Sequence, residues 1–442
     1  MTAPHPYKRA SARRGAAVLL TGSLLLLGAC QGGEAEPGQS SAPAENAEYE
    51  QRGPITLVRG KDASGYTNTD VKAWNDAHPD EKVTVIELPA EADGQRAQLL
   101  QNAQVKGEEF SLIRIDAVWT AEFASHGYVD ELNPADYGLE NYLPTTIDTV
   151  TYFDKVYGVP DATGAGLLYY RKDLLEKAGV AEPPKTWQEM KDACAKVKEL
   201  PETSKMNCYG GQFNKYEGLT VNVGEHIASA GGHLSQDGKA TVNTPEAKRG
   251  MENLTSMFAD GTIPKAATTW GEEEGRQAFQ NGELIFHRNW AYVYSMAQAD
   301  DGSSKVNGKF DVAPLPGMDG PGTSMLGGNS WAISKFSKNK GTSRDFIKFI
   351  NEEERMKERT LATTAPPPLE SLYNDPDITK DNPYFPTLLE SIKAAEPRPI
   401  AVKYGDLTLA VQDSGYGIIQ GTKPVDQGLA DMQAGMEKSL TN

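Results

Sequence analysis

Short aliphatic runs alternate with helix-favouring segments over the first part of the chain after residue 54. Three runs are typical of buried strands, at 55–58, 83–88 and 112–116. Three segments that favour helix follow them, at 66–78, 95–106 and 121–126. This strand–helix alternation predicts a parallel sheet covered by helices, which is an α/β fold.

The alternation resumes further along the chain. Four more strands are predicted at 156–160, 166–170, 283–287 and 331–334. Helices are predicted at 172–178 and from 186 onward, where Thr186 and Glu189 have the spacing of a capping box. About 389 residues follow residue 53, and this length predicts two large domains.

The amino terminus has the pattern of a secretory signal. Four basic residues (Lys8, Arg9, Arg13 and Arg14) precede an apolar run at 16–27, which is shorter than the ~20 residues that span a bilayer. The run ends in Leu-Gly-Ala-Cys, which resembles the lipobox of bacterial lipoproteins. The resemblance implies a signal peptide over 1–29 and a lipid on Cys30. An ordinary cleaved signal and a twin-arginine signal at residues 13–14 are the alternatives.

Residues 30–53 are small, polar and acidic. Such a stretch buries too little apolar surface to offset the entropy of ordering. We therefore expect a flexible tether that holds the folded body a few nanometres from the membrane.

The chain is acidic, and this excludes some partners. Its formal net charge is −17, which becomes −21 once the four basic residues of the signal are removed. Phosphates would repel such a body, so a nucleic-acid partner is not expected. A soluble, exported protein is expected instead. No second apolar run is long enough to cross a membrane.

Two cysteines remain beside Cys30. Cys194 and Cys208 are an even pair in an exported chain, which favours a disulfide. Two free buried thiols are the alternative. Neither these cysteines nor the six histidines have metal-ligand spacing, so no metal or other cofactor is expected.

Several segments together resemble the extracellular solute-binding proteins of sugar ABC importers, in the maltose- and trehalose-binding group. Each segment alone is loose, and their shared order carries the resemblance over nearly all of 54–442. The segments are 59–62, 116–123, 157–160, 167–175, 184–187, 279–283, 289–290, 327–334 and 398–399.

The resemblance implies a two-lobed fold of the periplasmic-binding-protein kind, with the ligand in a cleft between the lobes. The amino-terminal lobe would hold 54–160 and about 311–355. The carboxy-terminal lobe would hold 161–310 and about 356–442. In open α/β lobes, ligands lie outside the carboxyl ends of the strands.

Three charged residues match family contacts to sugar hydroxyls. Asp116 ends the third strand, Asp62 follows the first strand, and Arg398 stands between two prolines. Carboxylates and guanidinium groups are multidentate partners for hydroxyls. The alternatives are a helix cap for Asp116, a turn for Asp62 and a surface salt bridge for Arg398.

Aromatic residues would stack on the apolar face of a pyranose. The resemblance points to Trp270 and Trp290, for which a place in the core is the alternative. Tyr169 alternates with Tyr170 on a strand, so we expect one of them to face the cleft. Gly327 and Gly328 would let backbone N–H groups approach the ligand, or they form a plain turn.

The resulting hypothesis is a monomeric receptor and not an enzyme. It would bind an α-linked disaccharide or short oligosaccharide of the trehalose or maltose type and deliver it to ABC permease subunits, from a lipid anchor on the outer face of the cytoplasmic membrane. Gly164 stands where trehalose-binding relatives often carry Asp or Asn, so the sugar stays open. An exported glycoside hydrolase, a receptor for a non-sugar solute and an adhesion lipoprotein are the alternatives.

Overall fold

Two sheets organise residues 49–440, the part of the chain that the computed structural model describes. The predicted signal peptide, Cys30 and all but the end of the predicted tether lie outside these residues. The strands are β1 (Ile55–Gly60), β2 (Val83–Leu88), β3 (Leu112–Asp116), β4 (Thr151–Tyr152), β5 (Lys155–Val156), β6 (Val159–Gly164), β7 (Leu167–Tyr170), β8 (Asn207–Gly210), β9 (Ser235–Gln236), β10 (Lys239–Ala240), β11 (Leu284–Asn289), β12 (Asp311–Ala313) and β13 (Gly327–Ile333).

The first sheet has the strand order β2-β1-β3-β13-β6. Strands β1, β2 and β3 are parallel, as the alternation predicts. Strand β13 runs antiparallel between β3 and β6, and pairs Asn329 with Asp116 and Gly327 with Gly164. The carboxyl ends of β1 and β3 and the start of β13 therefore meet at one edge of the sheet.

The second sheet has the order β12-β7-β11-β8. Strand β11 is parallel to β8 and antiparallel to β7, and β12 is antiparallel to β7. The second sheet is therefore mixed, whereas the parallel arrangement predicted from the strands at 55–116 holds for β1, β2 and β3. All residues of β11 are buried.

The helices cover both sheets. They are α1 (Thr67–Ala77), α2 (Ala92–Gln104), α3 (Thr120–Ser125), α4 (Pro144–Val150), α5 (Lys172–Lys177), α6 (Trp187–Lys198), α7 (Glu217–Ala228), α8 (Pro245–Ala259), α9 (Glu272–Gln280), α10 (Val293–Ala297), α11 (Lys340–Ile350), α12 (Glu353–Thr363), α13 (Pro376–Asp381), α14 (Phe385–Lys393), α15 (Tyr404–Ile419) and α16 (Val425–Leu440). Helix α6 begins with the predicted capping box, because Thr186 accepts from the Glu189 N–H and Glu189 accepts from the Thr186 N–H.

We call the part built on the first sheet the first lobe and the part built on the second sheet the second lobe. Strand β6 stays in the first sheet as far as Gly164, and β12 belongs to the second sheet. The return to the first sheet therefore begins with β13 rather than near residue 311. Helices α11 and α14 contact first-sheet strands, whereas α15 and α16 pack on α7 and α8 of the second lobe. The expected second-lobe segments 161–310 and 356–442 are therefore wrong for the end of β6 and for α14, both of which belong to the first lobe.

A disulfide joins Cys194 of α6 to Cys208 of β8, with their Cα atoms 5.7 Å apart. It links a surface helix of the second lobe to the edge strand of its sheet. Among the described helices, none is long and apolar enough to cross a membrane.

Candidate functional site

A cavity of about 610 Å³ lies between the two sheets. The first lobe lines it with the carboxyl ends of β1 and β3 and with the start of β13. The second lobe lines it with the amino-terminal residues of α7 and α9 and with the segment after β11. This is the position expected for a ligand outside the carboxyl ends of strands.

Six of the eight predicted ligand residues line this cavity. They are Asp62, Asp116, Trp290, Gly327, Gly328 and Arg398. The other two, Tyr169 and Trp270, are not part of its lining.

Arg398 joins the two lobes at the cavity wall. Its Nη2 donates to Asp116 of β3 at 2.8 Å, and its Nη1 donates to Glu217 of α7 at 2.6 Å. The side chain is 2% exposed, so it is not a surface salt bridge. Burial opposes its charge, but the carboxylates of Asp116 and Glu217 outweigh burial and raise the pKa of Arg398.

Glu217 is itself held by neutral donors. The hydroxyls of Tyr404 and Thr408 each donate to its carboxylate at 2.6 Å. Burial raises the pKa of Glu217 in spite of Arg398 beside it. The carboxylate is thus fixed in position by three different side chains.

Asp62 fills the role of a turn and cap. Its carboxylate accepts from the N–H and hydroxyl groups of both Ser64 and Thr67, and from Arg59 at 3.3 Å. Burial opposes the charge, yet Arg59 and these donors hold the pKa of Asp62 well below its usual range. The bonds to Thr67 cap α1, so little acceptor capacity is left for a ligand.

Trp290 lies against the guanidinium of Arg288, whose Cζ is 4.1 Å from the ring centroid. Gly327 permits this placement, because a Cβ there would lie 2.8 Å from Cζ3 of the indole. Gly328 has φ +149°, and a Cβ there would lie 2.7 Å from the Ala162 carbonyl oxygen. Both glycines are therefore required by close packing at the cavity wall.

Tyr169 and Trp270 are packed elsewhere. Strand β7 is an internal strand, and the fully buried Tyr169 donates its hydroxyl to the Trp290 carbonyl oxygen at 2.8 Å. Tyr170 is half-buried outside the cavity lining, so the expectation that one of the two faces the cleft is wrong. Trp270 is partly buried against Gly210, where a Cβ would lie 2.9 Å from the ring.

A charged network at the first-lobe wall was not predicted. Asp161 accepts from Arg114 at 2.8 Å and lies 3.3 Å from Arg359, and all three residues line the cavity. Asp70 lies 3.7 Å from Arg359, and burial raises its pKa to about 6. A charge inside an aliphatic strand, such as Arg114 in β3, is the sequence signal that could have found this network.

The second-lobe wall carries carboxylates bound by tyrosines. Tyr216 donates to Glu272 at 2.5 Å, and Tyr292 donates to Glu273 at 2.7 Å, where Arg276 also donates at 2.6 Å. Burial raises the pKa of Glu272. The run of three glutamates directly after Trp270 and Gly271 was the sequence signal for this wall. Within residues 49–440, no group of His, Cys, Asp or Glu side chains is arranged to hold a metal ion.

The fold and the interlobe cavity define a solute receptor. The chain belongs to the family described as bacterial extracellular solute-binding protein, whose model matches residues 71–387. A probable ABC transporter-binding protein of Deinococcus radiodurans is 31% identical to it, over 83% of this chain and 89% of the relative. Proteins of this family bind solutes for ABC transporters, so the hydrolase alternative is set aside.

Two further similar proteins carry named ligands. The maltose-bound MalE3 structure from T. maritima has a TM-score of 0.82 and 27% identity, covering 87% of this chain and 99% of that one. The galactooligosaccharide-binding protein of Bacillus subtilis is 24% identical over 85% of each chain.

Proposed function

We propose that this chain binds an α-linked disaccharide or short oligosaccharide, of the trehalose or maltose type, and delivers it to an ABC permease. The observation that carries the proposal is one cavity that combines an aromatic face, Trp290, with buried charged groups on both walls. A pyranose has an apolar C–H face and a rim of hydroxyls, so it needs both kinds of partner.

The cavity volume supports a ligand larger than one sugar ring. About 610 Å³ falls in the middle of the range of ~300–1,000 Å³ that small-molecule sites occupy. The ligands named for similar proteins include maltose and galactooligosaccharide, and also mannitol for a relative from Pseudomonas aeruginosa. Mannitol makes a six-carbon polyol the second candidate.

The cellular setting belongs to the same proposal. Cys30 would carry the lipid, residues 31–53 would form the tether, and the body would act as a monomer at the outer face of the cytoplasmic membrane. Permease subunits would receive the sugar. The family of exported receptors and the Leu-Gly-Ala-Cys sequence support this setting.

Calorimetric titration of the full chain with trehalose, maltose, galactose oligosaccharides and mannitol tests the ligand. We expect micromolar or tighter binding of an α-linked disaccharide and recovery of the sugar unchanged. If mannitol is the only compound that binds, the proposed ligand becomes a polyol and not a disaccharide. No heat with any of these compounds would overturn the sugar proposal.

A matched pair of tryptophan variants tests the site. We expect Trp290→Ala to weaken sugar binding about 30-fold or more, because the cavity loses its aromatic face. Trp270→Ala is the control, since that ring lies outside the cavity lining. Equal losses in the two variants would contradict the assignment of Trp290.

A further inference from the structure

Arg288 and Glu225 form a buried ion pair behind the cavity wall. Arg288 lies near the end of β11, one residue before Asn289, and Glu225 lies on α7. The two groups meet side by side, with Nε to Oε2 at 2.8 Å, and both side chains are at most 5% exposed. Gln212 accepts from Nη1 of Arg288 at 3.0 Å. Each nitrogen of the Arg288 guanidinium therefore donates to a partner within the buried pair and its surroundings.

Two of the segments that cross between the sheets are attached to this pair. The first crossing, between β6 and β7, contains Gly166, and the second, between β12 and β13, contains Ser324. The Gly166 N–H donates to the Ser324 hydroxyl at 2.6 Å, and that hydroxyl donates to Glu225 at 2.9 Å. One carboxylate of the second lobe thus holds both crossing segments.

Gly166 lies directly against the ion pair. A Cβ at this residue would be 2.6 Å from Nη2 of Arg288 and 2.7 Å from Oε1 of Glu225. The third segment that passes between the lobes, 394–403, joins the same group, because the Glu396 N–H donates to the Ser324 carbonyl oxygen at 2.8 Å. All three crossings therefore meet at one buried cluster.

The other face of Arg288 contacts the cavity wall. Its guanidinium lies over the indole of Trp290, 4.1 Å from the ring centroid. Trp290 in turn packs on Gly327, which begins β13 at the end of the second crossing. A continuous set of contacts therefore runs from the cavity through Trp290 and Arg288 to the crossing segments.

We propose that Arg288 and Glu225 are a positioning pair that fixes Trp290 and the three crossing segments as one unit, so that ligand contact with Trp290 is coupled to the angle between the lobes. The proposal rests on the proposed function only in taking Trp290 as a ligand contact. A shift of the indole would move Arg288, and Arg288 would carry the shift to Glu225 and Ser324. Packed side chains and salt-bridge networks of this kind can carry energetic coupling between two parts of a protein.

The experiment replaces the pair by methionines in the full chain. Arg288→Met with Glu225→Met removes both charges together, which avoids leaving one buried charge unpaired. Spin labels at the exposed Val105 of the first lobe and Leu409 of the second lobe report the interlobe distance. We expect the ligand-free distance distribution to broaden relative to the wild type, and affinity for the sugar identified by calorimetry to fall about 10-fold.

A double-mutant cycle separates coupling from general damage. Trp290→Ala should weaken binding less in the double-methionine background than in the wild type, because the coupling is already absent. A purely structural pair would give additive losses and an unchanged distance distribution, and either result would overturn the proposal. The matched control is Arg171→Met with Asp173→Met, a side-by-side pair of the second lobe with bonds of 2.8 and 2.7 Å that contacts none of the three crossing segments through these bonds, and it should leave the distribution unchanged.

A failure of the sugar-binding proposal can be distinguished from a failure of the positioning-pair proposal. If the wild-type chain binds no sugar, the ligand-free distance distributions still test whether the pair fixes the crossing segments. A broadened distribution in the double-methionine variant supports that part, and an unchanged one rejects it.

Discussion

One buried carboxylate on each wall of the cavity shows a different way of satisfying its charge. On the first-lobe wall, Asp161 is bound by Arg114 and Arg359. On the second-lobe wall, Glu272 accepts from the hydroxyl of Tyr216. An arginine fork occupies most acceptor positions of a carboxylate, whereas one tyrosine hydroxyl leaves several open. We therefore expect the first wall to provide a fixed surface around Asp161 and the second wall to accept hydrogen bonds from ligand hydroxyls at Glu272.

Arg398 contacts both walls of the cavity. Among the variants discussed below, its replacement should change the free energy of unfolding most. We expect Arg398→Met to lower the free energy of unfolding by about 3–5 kcal/mol, because Glu217 and Asp116 would lose the buried cation between them. Chemical denaturation measures this change. The control is Arg52→Met, whose side chain is 39% exposed beside Glu81 and Asp345 and should contribute less than about 1 kcal/mol. Similar losses in the two variants would show that Arg398 does not hold the walls together.

Local sequence patterns predicted one part of the fold and not another. The strands β1 to β3 and their helices follow from aliphatic runs and helical spacing, which are local signals. The edge strand Asp311–Ala313 has three residues and pairs at the margin of the second sheet, so its place depends on tertiary contacts and not on a pattern. The return to the first lobe near residue 311 was taken from the family resemblance, and no local pattern of this short strand could correct it.

The candidate site was predictable only in part for a similar reason. Asp116 and Arg398 were predicted because they match family contacts, at a strand end and between two prolines, and the structure brings their side chains within 2.8 Å of each other. Tyr169 was misplaced because alternation on a strand distinguishes two faces but not whether either face meets the cavity. The ion pair of Arg288 and Glu225 joins residues 63 positions apart, which no local pattern indicates.

Asp70 gives a test of the first-lobe wall that depends on pH. Burial raises its pKa to about 6, so between about pH 4 and pH 6 the folded protein binds a proton that the unfolded chain has lost. Ionisation of Asp70 therefore makes the free energy of unfolding fall as pH rises through that window. The charged and titratable groups around it are Tyr66, Asp161, Arg355, Glu358 and Arg359.

We expect Asp70→Asn to remove this pH dependence and to raise the free energy of unfolding at pH 7 by up to about 2 kcal/mol. Denaturation curves at pH 4, 5, 6 and 7 measure the slope. Asp76→Asn is the control, since Asp76 is exposed on the same helix, where it pairs with Lys72. A slope that is the same in wild type and Asp70→Asn would show that Asp70 ionises normally in this wall.

Glu272→Gln tests the second-lobe wall and should have the smallest effect. The amide oxygen can still accept from Tyr216, but the amide nitrogen is a donor where the carboxylate offered lone pairs. We expect calorimetry to show sugar affinity falling about 5- to 10-fold, the equivalent of roughly 1 kcal/mol for one hydrogen bond. Wild-type binding should also weaken as pH falls, at a higher pH than for an ordinary glutamate, because burial raises the pKa of Glu272.

Glu283→Gln is the control. Glu283 is exposed three residues after the end of the same helix, and it lies outside the cavity lining. Its affinity should therefore equal that of the wild type. If Glu272→Gln also binds as the wild type does at every pH, ligand hydroxyls do not meet this carboxylate, and the distinction between a fixed wall and a hydrogen-bonding wall would have to be given up. A loss confined to Glu272→Gln would place the hydroxyl-accepting surface at the start of α9, beside the ring of Trp290.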